Sequence, residues 1–320
     1  MIDFFFKIYG QISPQNKFFE KVKLNSILRV MITSLMNIIL PLFFRATQKS
    51  NNNRLNKQNV ESPLIIVSLT TFPGRIHKIW IVIECMFRQR DKPDKIILWL
   101  SKDQFNDLKK LPNRLLLLRK RGLEIILCEG DLRSHKKYYY TLKKYPNDTL
   151  ITIDDDFFYP SYLISDLLRL NRDYPNAICC ERSHRISVNV NEIEPYKSWS
   201  FMHKGTVPDF RIFQTSGGGT LYPPNSLGNY TLRDDIFMEY CQDADDVWLN
   251  MMAQMKNTKT MKSDRSIQII PIYFKNSQTL SAKNVELGQN DEQLRNVRNY
   301  FIGIEGTDPL INLFDNKTYV

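Results

Sequence analysis

Four short apolar runs set the limits on what this chain can fold into. Leu64–Thr71 (LIIVSLTT), Lys95–Leu100 (KIILWL), Leu123–Cys128 (LEIILC) and Thr149–Ile153 (TLITI) are strand-length and apolar nearly throughout. Helical spacing fills the gaps at 76–88, at 104–120 with a break at Pro112, and at 134–144. A further helix at 162–172 leads into a fifth run, Ala177–Glu181. Strands with no polar face, separated by helices of about a dozen residues, predict an α/β fold: a mostly parallel central sheet with helices on both faces. Ligands of such sheets bind outside the carboxyl ends of the strands. After residue 185 the rhythm is lost. Segment 190–230 is loop-rich and aromatic, helical patterns resume at Ile236–Tyr240 and Val247–Met255, and Ile267–Ile272 reads as a late strand. The chain beyond about residue 275 is polar and has no clear period.

At 320 residues and 42% hydrophobic, the chain buries an ample core without staples, which excludes a disordered or disulfide-held class. The five cysteines are odd in number and form no CxxC pair. Cys85, Cys128 and Cys179 sit inside apolar runs and read as small core residues. Free thiols suggest a reducing compartment, so the sequons at Asn147, Asn229 and Asn316 carry little weight.

Net charge is +10, and residues 1–60 hold nine Lys/Arg against Asp3 and Glu20. A basic segment beside apolar residues suggests an anionic surface. The stretch Ile27–Phe44 is nearly long enough to span a membrane but is interrupted by Arg29, Asn37 and Pro41. With Phe4–Phe6 and Phe18-Phe19 among lysines, residues 1–45 read as helices lying in a membrane interface. The alternative is a helical hairpin packed on the rest of the chain. The expected organisation is a basic apolar segment at 1–47, an Asn-rich linker at 48–61, a catalytic domain at 62–280 and an extension at 281–320.

Five groups of residues carry candidate chemistry. Asp154-Asp155-Asp156 closes the fourth strand, where alternate residues of an extended chain share a face. Adjacent carboxylates repel, and Mg²⁺ or Mn²⁺ bridging a diphosphate relieves that cost; the bland alternative is a solvated acidic turn. Asp243-Ala244-Asp245-Asp246 opens a helix with more acid than capping needs, which offers a general base. Arg133-Ser134-His135-Lys136-Lys137 follows the third strand at the same edge, and Lys137 is the best placed to meet a leaving diphosphate. Gly217-Gly218-Gly219 allows close backbone approach and reads as an acceptor or phosphate loop. Thr70 and Arg75, in the segment that closes the first strand, read as contacts to a nucleotide base or phosphate, with helix capping as the alternative. His77 and His135 are expected to face solvent. The absence of HExxH, P-loop, GxSxG and a Rossmann glycine fingerprint disfavours zinc proteases, kinases, serine hydrolases and dehydrogenases.

In order along the chain, IIVSLTTFPGRI, KPDKIILWLS, DLRSHKKYYYTLKKYP, TLITIDDDFFYP, GGGTLYPP and DADDVWL resemble a GT-A glycosyltransferase. The likeness is to the family 2-like enzymes of bacterial capsule and O-antigen clusters, and it runs from about Pro63 to Leu249. It implies a nucleotide-sugar donor bound by Thr70, Arg75, Lys137, Asp154 and Asp155. It further implies Mn²⁺ or Mg²⁺ on Asp154 and Asp156, and Asp245 or Asp246 as the base of an inverting transfer. The implied acceptor is a saccharide or a lipid-linked sugar, at the cytoplasmic face of a membrane; a nucleic-acid-binding reading by aromatic stacking is disfavoured because the charge excess lies in the N-terminal arm and not on the aromatic segment. Where that family usually has Glu-Asp this chain has Asp245-Asp246, and no later His supplies a third metal ligand. The alternative is a metal-dependent nucleotidyltransferase that makes a nucleotide-sugar.

Overall fold

The computed structural model describes residues 1–12, 24–48, 63–190, 192–201, 205–265, 267–274 and 288–314. The expected linker (Gln48 apart), Phe18-Phe19, His203 and the Asn316 sequon lie outside the described residues.

Two helices, α1 (Ile2–Gln11) and α2 (Leu24–Thr47), precede β1 (Ile65–Thr70), α3 (Ile79–Phe87), β2 (Lys95–Ser101), α4 (Asn113–Arg119), β3 (Leu123–Cys128), α5 (Lys136–Lys144) and β4 (Thr149–Thr152). There follow β5 (Phe157–Phe158), α6 (Leu163–Asp173), β6 (Ile178–Cys180), β7 (Ser183–Arg185), β8 (Ser200–Phe201), β9 (Ile212–Gln214) and β10 (Thr220–Tyr222). The described chain ends with α7 (Asp234–Tyr240), α8 (Asp245–Met255), β11 (Thr260–Lys262), β12 (Ile270–Pro271) and α9 (Gln289–Glu305).

Seven strands form the main sheet, in the order β11-β6-β10-β4-β1-β2-β3. All neighbours are parallel except β10, which runs antiparallel between β4 and β6. The mostly parallel sheet expected from the apolar runs is therefore present. Register pairs Ser68 with Thr152 and Thr70 with Trp99, so the carboxyl ends of β1, β2 and β4 share one edge.

Alternation along β1 separates the two faces. Val67 and Leu69 join a core shared with α3, α4 and α6, while Ile66 and Ser68 face the α5 side. Ser68 is polar in an otherwise apolar strand because its hydroxyl is used. It donates to the Lys137 carbonyl at 2.5 Å and lies 2.7 Å from Thr141 Oγ1, which also accepts from Trp99 Nε1 at 2.8 Å. These bonds fix the position of α5 along the sheet.

All nine residues of α3 are buried, Glu84 included. A helix that is apolar all round is covered on both sides, and here Met36, Leu40 and Phe44 of α2 belong to the same core. Glu84 is held between Arg88 Nε at 3.1 Å and Arg121 Nη1 at 2.5 Å, and Arg88 reaches on to Thr47 Oγ1 at 2.9 Å. One buried carboxylate thus joins α3, the turn after α4 and the last turn of α2.

Three expectations are corrected. The late strand shrinks to Ile270–Pro271 and pairs with β5, outside the main sheet. The irregular middle of the chain supplies β10 to the main sheet, a three-residue strand too short to leave a period. The polar tail contains the 17-residue α9, bounded by Gly288 and Gly306 in left-handed conformations; Leu294, Val297 and Phe301 form its buried stripe.

Thr141→Val leaves the Trp99 indole N–H unpaired inside the protein, while Ser68 keeps its bond to the Lys137 carbonyl. Such a buried orphan costs about 1–3 kcal/mol, so chemical denaturation is expected to show a clear loss of stability. An unchanged midpoint would remove this account of how α5 is positioned.

Candidate functional site

Strand β4 ends at Thr152, the Ile153 N–H makes one more bond to the Ser68 carbonyl at 3.3 Å, and the carboxylates follow as the chain bends. Asp154 and Asp156 therefore do not share the extended face that alternation predicts. Asp154 turns towards α5 and accepts from Lys137 Nζ at 2.7 Å. Asp155 and Asp156 both turn to Arg75, which lies in the loop after β1 and is 2.9 Å from Asp156 Oδ2. The Arg75 guanidinium is flanked by the rings of Phe72 and Phe274 at 5.3 and 5.4 Å. Apolar walls strengthen its hold on the two carboxylates.

The second acidic group arrives from the start of α8. Asp245 lies 2.8 Å from the same Lys137 Nζ. Lys137 is buried, so one ammonium joins two carboxylates that are 91 positions apart in the sequence. Asp246 accepts from the Ser216 N–H at 3.1 Å and from Ser216 Oγ at 2.6 Å. A parallel clamp lies outside this one: Arg133, at a left-handed φ of 50°, pairs with Asp243. The segment before α5 and the start of α8 are thus joined twice.

The glycines support this arrangement and do not form an open loop. Gly217–Gly219 are buried. A Cβ on Gly218 would lie 2.9 Å from the Arg182 nitrogen, and Gly219 has a φ of +89°. Only Gly217 borders the carboxylates, where a Cβ would meet Asp154 Oδ2 at 3.5 Å. The run lets the chain pass tightly from Ser216 into β10.

Other candidates change role. The Thr70 hydroxyl donates to the Trp99 carbonyl at 2.9 Å and joins β1 to β2. Thr71 is the residue that reaches the site, donating to Asp155 Oδ2 at 2.5 Å. His135 is buried, against the expectation that it faces solvent. Its ring nitrogens meet Tyr138 Oη and the Cys241 carbonyl, both at 2.8 Å, and it stacks on Phe237. Burial lowers its pKa to about 4, so it is a neutral link between α5 and the α8 loop. His77 is exposed, as expected. All five cysteines are buried and free.

The titrations follow from burial and charge. Burial and the neighbouring Asp155 and Asp154 push Asp156 up to about 7, against the pull of Arg75. Burial and the adjacent Asp245 push Asp246 up to about 7. Asp245 is equally enclosed, yet the Lys137 ammonium holds it below the ordinary carboxylate value. Lys137 is raised well above its usual value, because Asp154 and Asp245 outweigh its own burial.

Among the described residues no three His, Cys, Asp or Glu side chains form a metal cage. Mg²⁺ and Mn²⁺ need less, since one or two carboxylates suffice when substrate phosphates complete the shell. Asp154 and Asp156 fit that demand. Their side chains keep 31% and 18% exposure against 9% for Asp155, and burial first, then Asp155 and Asp154, raises the Asp156 carboxyl against the pull of Arg75.

No family model matches the sequence, and no curated protein matches it. Among solved structures, one of CMP:2-keto-3-deoxy-manno-octonic acid synthetase complexed with CTP is similar at a TM-score of 0.39 and 11% identity, over 63% of this chain and 89% of that one.

Lys137→Met strands two carboxylates in a site with little water. Breaking a buried pair costs about 3–5 kcal/mol. The sign with pH follows: the ammonium holds Asp245 below the ordinary carboxylate value, so the stability lost with it is missing in full above the carboxylate range and the loss shrinks as pH falls through that range. Thermal melting of the variant and the parent across that range tests this; an equal loss at every pH would show that Lys137 acts by packing alone.

Proposed function

We propose that this protein is a metal-dependent glycosyltransferase of the GT-A type. It would move a sugar from a nucleotide-diphosphate donor to the hydroxyl of a saccharide or lipid-linked acceptor, at the cytoplasmic face of a membrane and in surface polysaccharide synthesis. The observation that carries this reading is the pair of acidic groups, 154–156 and 243–246, joined through Lys137 beside the carboxyl ends of parallel strands.

Each group takes a distinct role. Asp154 and Asp156 would hold Mn²⁺ or Mg²⁺, which when bound neutralises the donor diphosphate. Asp246 would be the base. Its pKa near 7 matches the working pH of a general base, whereas Asp245 is tied to Lys137 and is too weakly basic. Asp246 takes the acceptor proton, the acceptor oxygen forms its bond to the anomeric carbon, and the bond from that carbon to the diphosphate breaks with its electron pair. Attack opposite the departing group inverts the centre. Lys137 and Arg75, paired with Asp154 and Asp156, would stabilise the negative charge that collects on the diphosphate. Ser216 orients Asp246 through two hydrogen bonds.

The alternative is a metal-dependent nucleotidyltransferase making a nucleotide-sugar, and the synthetase complexed with CTP belongs on that side. A TM-score of 0.39 does not decide between them. The loop after β1 weighs against that alternative, since Thr70–Arg75 holds one glycine and one arginine where such an enzyme wants a richer phosphate loop.

The test is release of nucleoside diphosphate from a panel of UDP-, GDP- and TDP-sugars with Mn²⁺. Slow release from one donor, lost on chelation and in Asp156→Ala, is the expected result. Release of pyrophosphate from a nucleoside triphosphate and a sugar would favour the alternative. With donor and acceptor in hand, Asp246→Asn is expected to lower kcat by about 10²–10⁴-fold with donor KM little changed. The parent's kcat/KM should rise with pH and level off above about 7. A greater loss in Asp245→Asn than in Asp246→Asn would reverse the assignment of the base.

A further inference from the structure

We infer that the outer face of α2 docks on an anionic phospholipid surface, with the helix lying in the plane of the membrane and not crossing it. The inference stands on surface chemistry and does not depend on the transferase reading.

Helix α2 has 24 residues. The most apolar 18-residue stretch of Asn25–Thr47 has a mean hydropathy of 2.0, yet only 22% of it is buried. A core helix of this composition would be covered. Ile27, Leu28, Met31, Leu35, Ile38 and Leu42 are instead exposed, by 36% to 61%. At 3.6 residues per turn these six fall within about 100° of arc and extend about 22 Å along the axis. Phe4 of α1 adds a ring that is 61% exposed. A continuous apolar stripe of this kind marks an interaction surface.

The inner face explains why the helix lies flat. Met36, Leu40 and Phe44 are buried to 1% exposure or less. The Asn37 amide donates to the Pro271 carbonyl at 3.0 Å, and its oxygen accepts from the Tyr273 N–H at 2.8 Å. A spanning helix would have to break these bonds and strip its own core contacts. Charge selects the occupant. Residues 1–60 carry nine basic side chains and two acids in sequence, of which Lys7, Arg29 and Arg45 lie on the described helices, and a basic sequence flanking an apolar helical face suits anionic headgroups.

The docking face is also close to the carboxylates. Asn37 holds the strand β12, which pairs with β5 directly after Asp156, and Ile272 N–H donates to the Asp156 carbonyl at 2.7 Å. Two residues on, Phe274 stacks against Arg75. A bilayer under α2 would therefore hold the site at a set distance from the headgroups.

The experiment is co-sedimentation of the full chain with vesicles of phosphatidylcholine alone and of phosphatidylcholine with about 30% phosphatidylglycerol. Binding to the anionic vesicles, weaker in high salt, is expected. Leu35→Glu with Ile38→Glu should reduce it at least about tenfold, with circular dichroism and melting temperature unchanged because both side chains are exposed. Bound protein should be released by alkaline carbonate. Retention after carbonate would overturn the in-plane placement. Equal sedimentation of parent and double variant, or no binding to either vesicle, would overturn the docking face. A lipid-free dimer in sedimentation equilibrium, dispersed by the double variant, would assign the stripe to a second copy and overturn the lipid reading.

Discussion

One buried ammonium organises the site. Lys137 stands between Asp154 and Asp245, and its charge holds the enclosed Asp245 carboxyl below the ordinary carboxylate range. The requirement propagates outwards. Lys137 must point to the end of β4, so α5 must sit at one register against β1. Ser68 and Thr141 set that register, since the Ser68 hydroxyl binds the carbonyl of Lys137 itself. A serine in the middle of a buried strand is a consequence of where the lysine has to be.

The second cation, Arg75, divides the acidic run. Three consecutive carboxylates cannot share one counter-charge, and the chain separates them by ending the strand early. Asp154 goes to Lys137, and Asp155 is consumed by Arg75 and Thr71. Asp156 is left partly exposed and raised. Two neighbouring carboxylates of the second group diverge in the same way. Asp245 is held below the ordinary carboxylate value by the lysine, while Asp246, buried and beside that fixed charge, is pushed up to about 7. Residues of identical chemistry thus acquire different titrations from position alone.

The N-terminal helices are part of the same construction. α3 is apolar on every side and needs a second cover, which α2 supplies through Met36, Leu40 and Phe44. The buried Glu84, with Arg88 and Arg121, holds that cover at its last turn. What remains is a helix with one face committed to the core and the other presented outwards.

Much of this was determined by the sequence alone. Apolar runs of strand length with helical intervals leave a mostly parallel sheet as the economical fold, because every backbone group must pair and both faces must be covered. The Asp154–Asp156 and Asp243–Asp246 groups stood out for the same reason: charge at the end of a buried strand, or in excess at a helix start, needs a partner. Tertiary structure decided which partner. That Lys137 serves both groups, that Thr71 and not Thr70 reaches Asp155, and that Ser216 holds Asp246 are all long-range contacts, invisible to local periodicity. His135 was misread because burial depends on what packs over a helix start, here Phe237 and the Cys241 carbonyl. The glycine run was legible as close approach but not as close approach to Arg182. Strand β10 and helix α9 escaped notice because three residues carry no period, and because a stripe of Leu294, Val297 and Phe301 among polar residues is a weak signal until α8 is there to receive it.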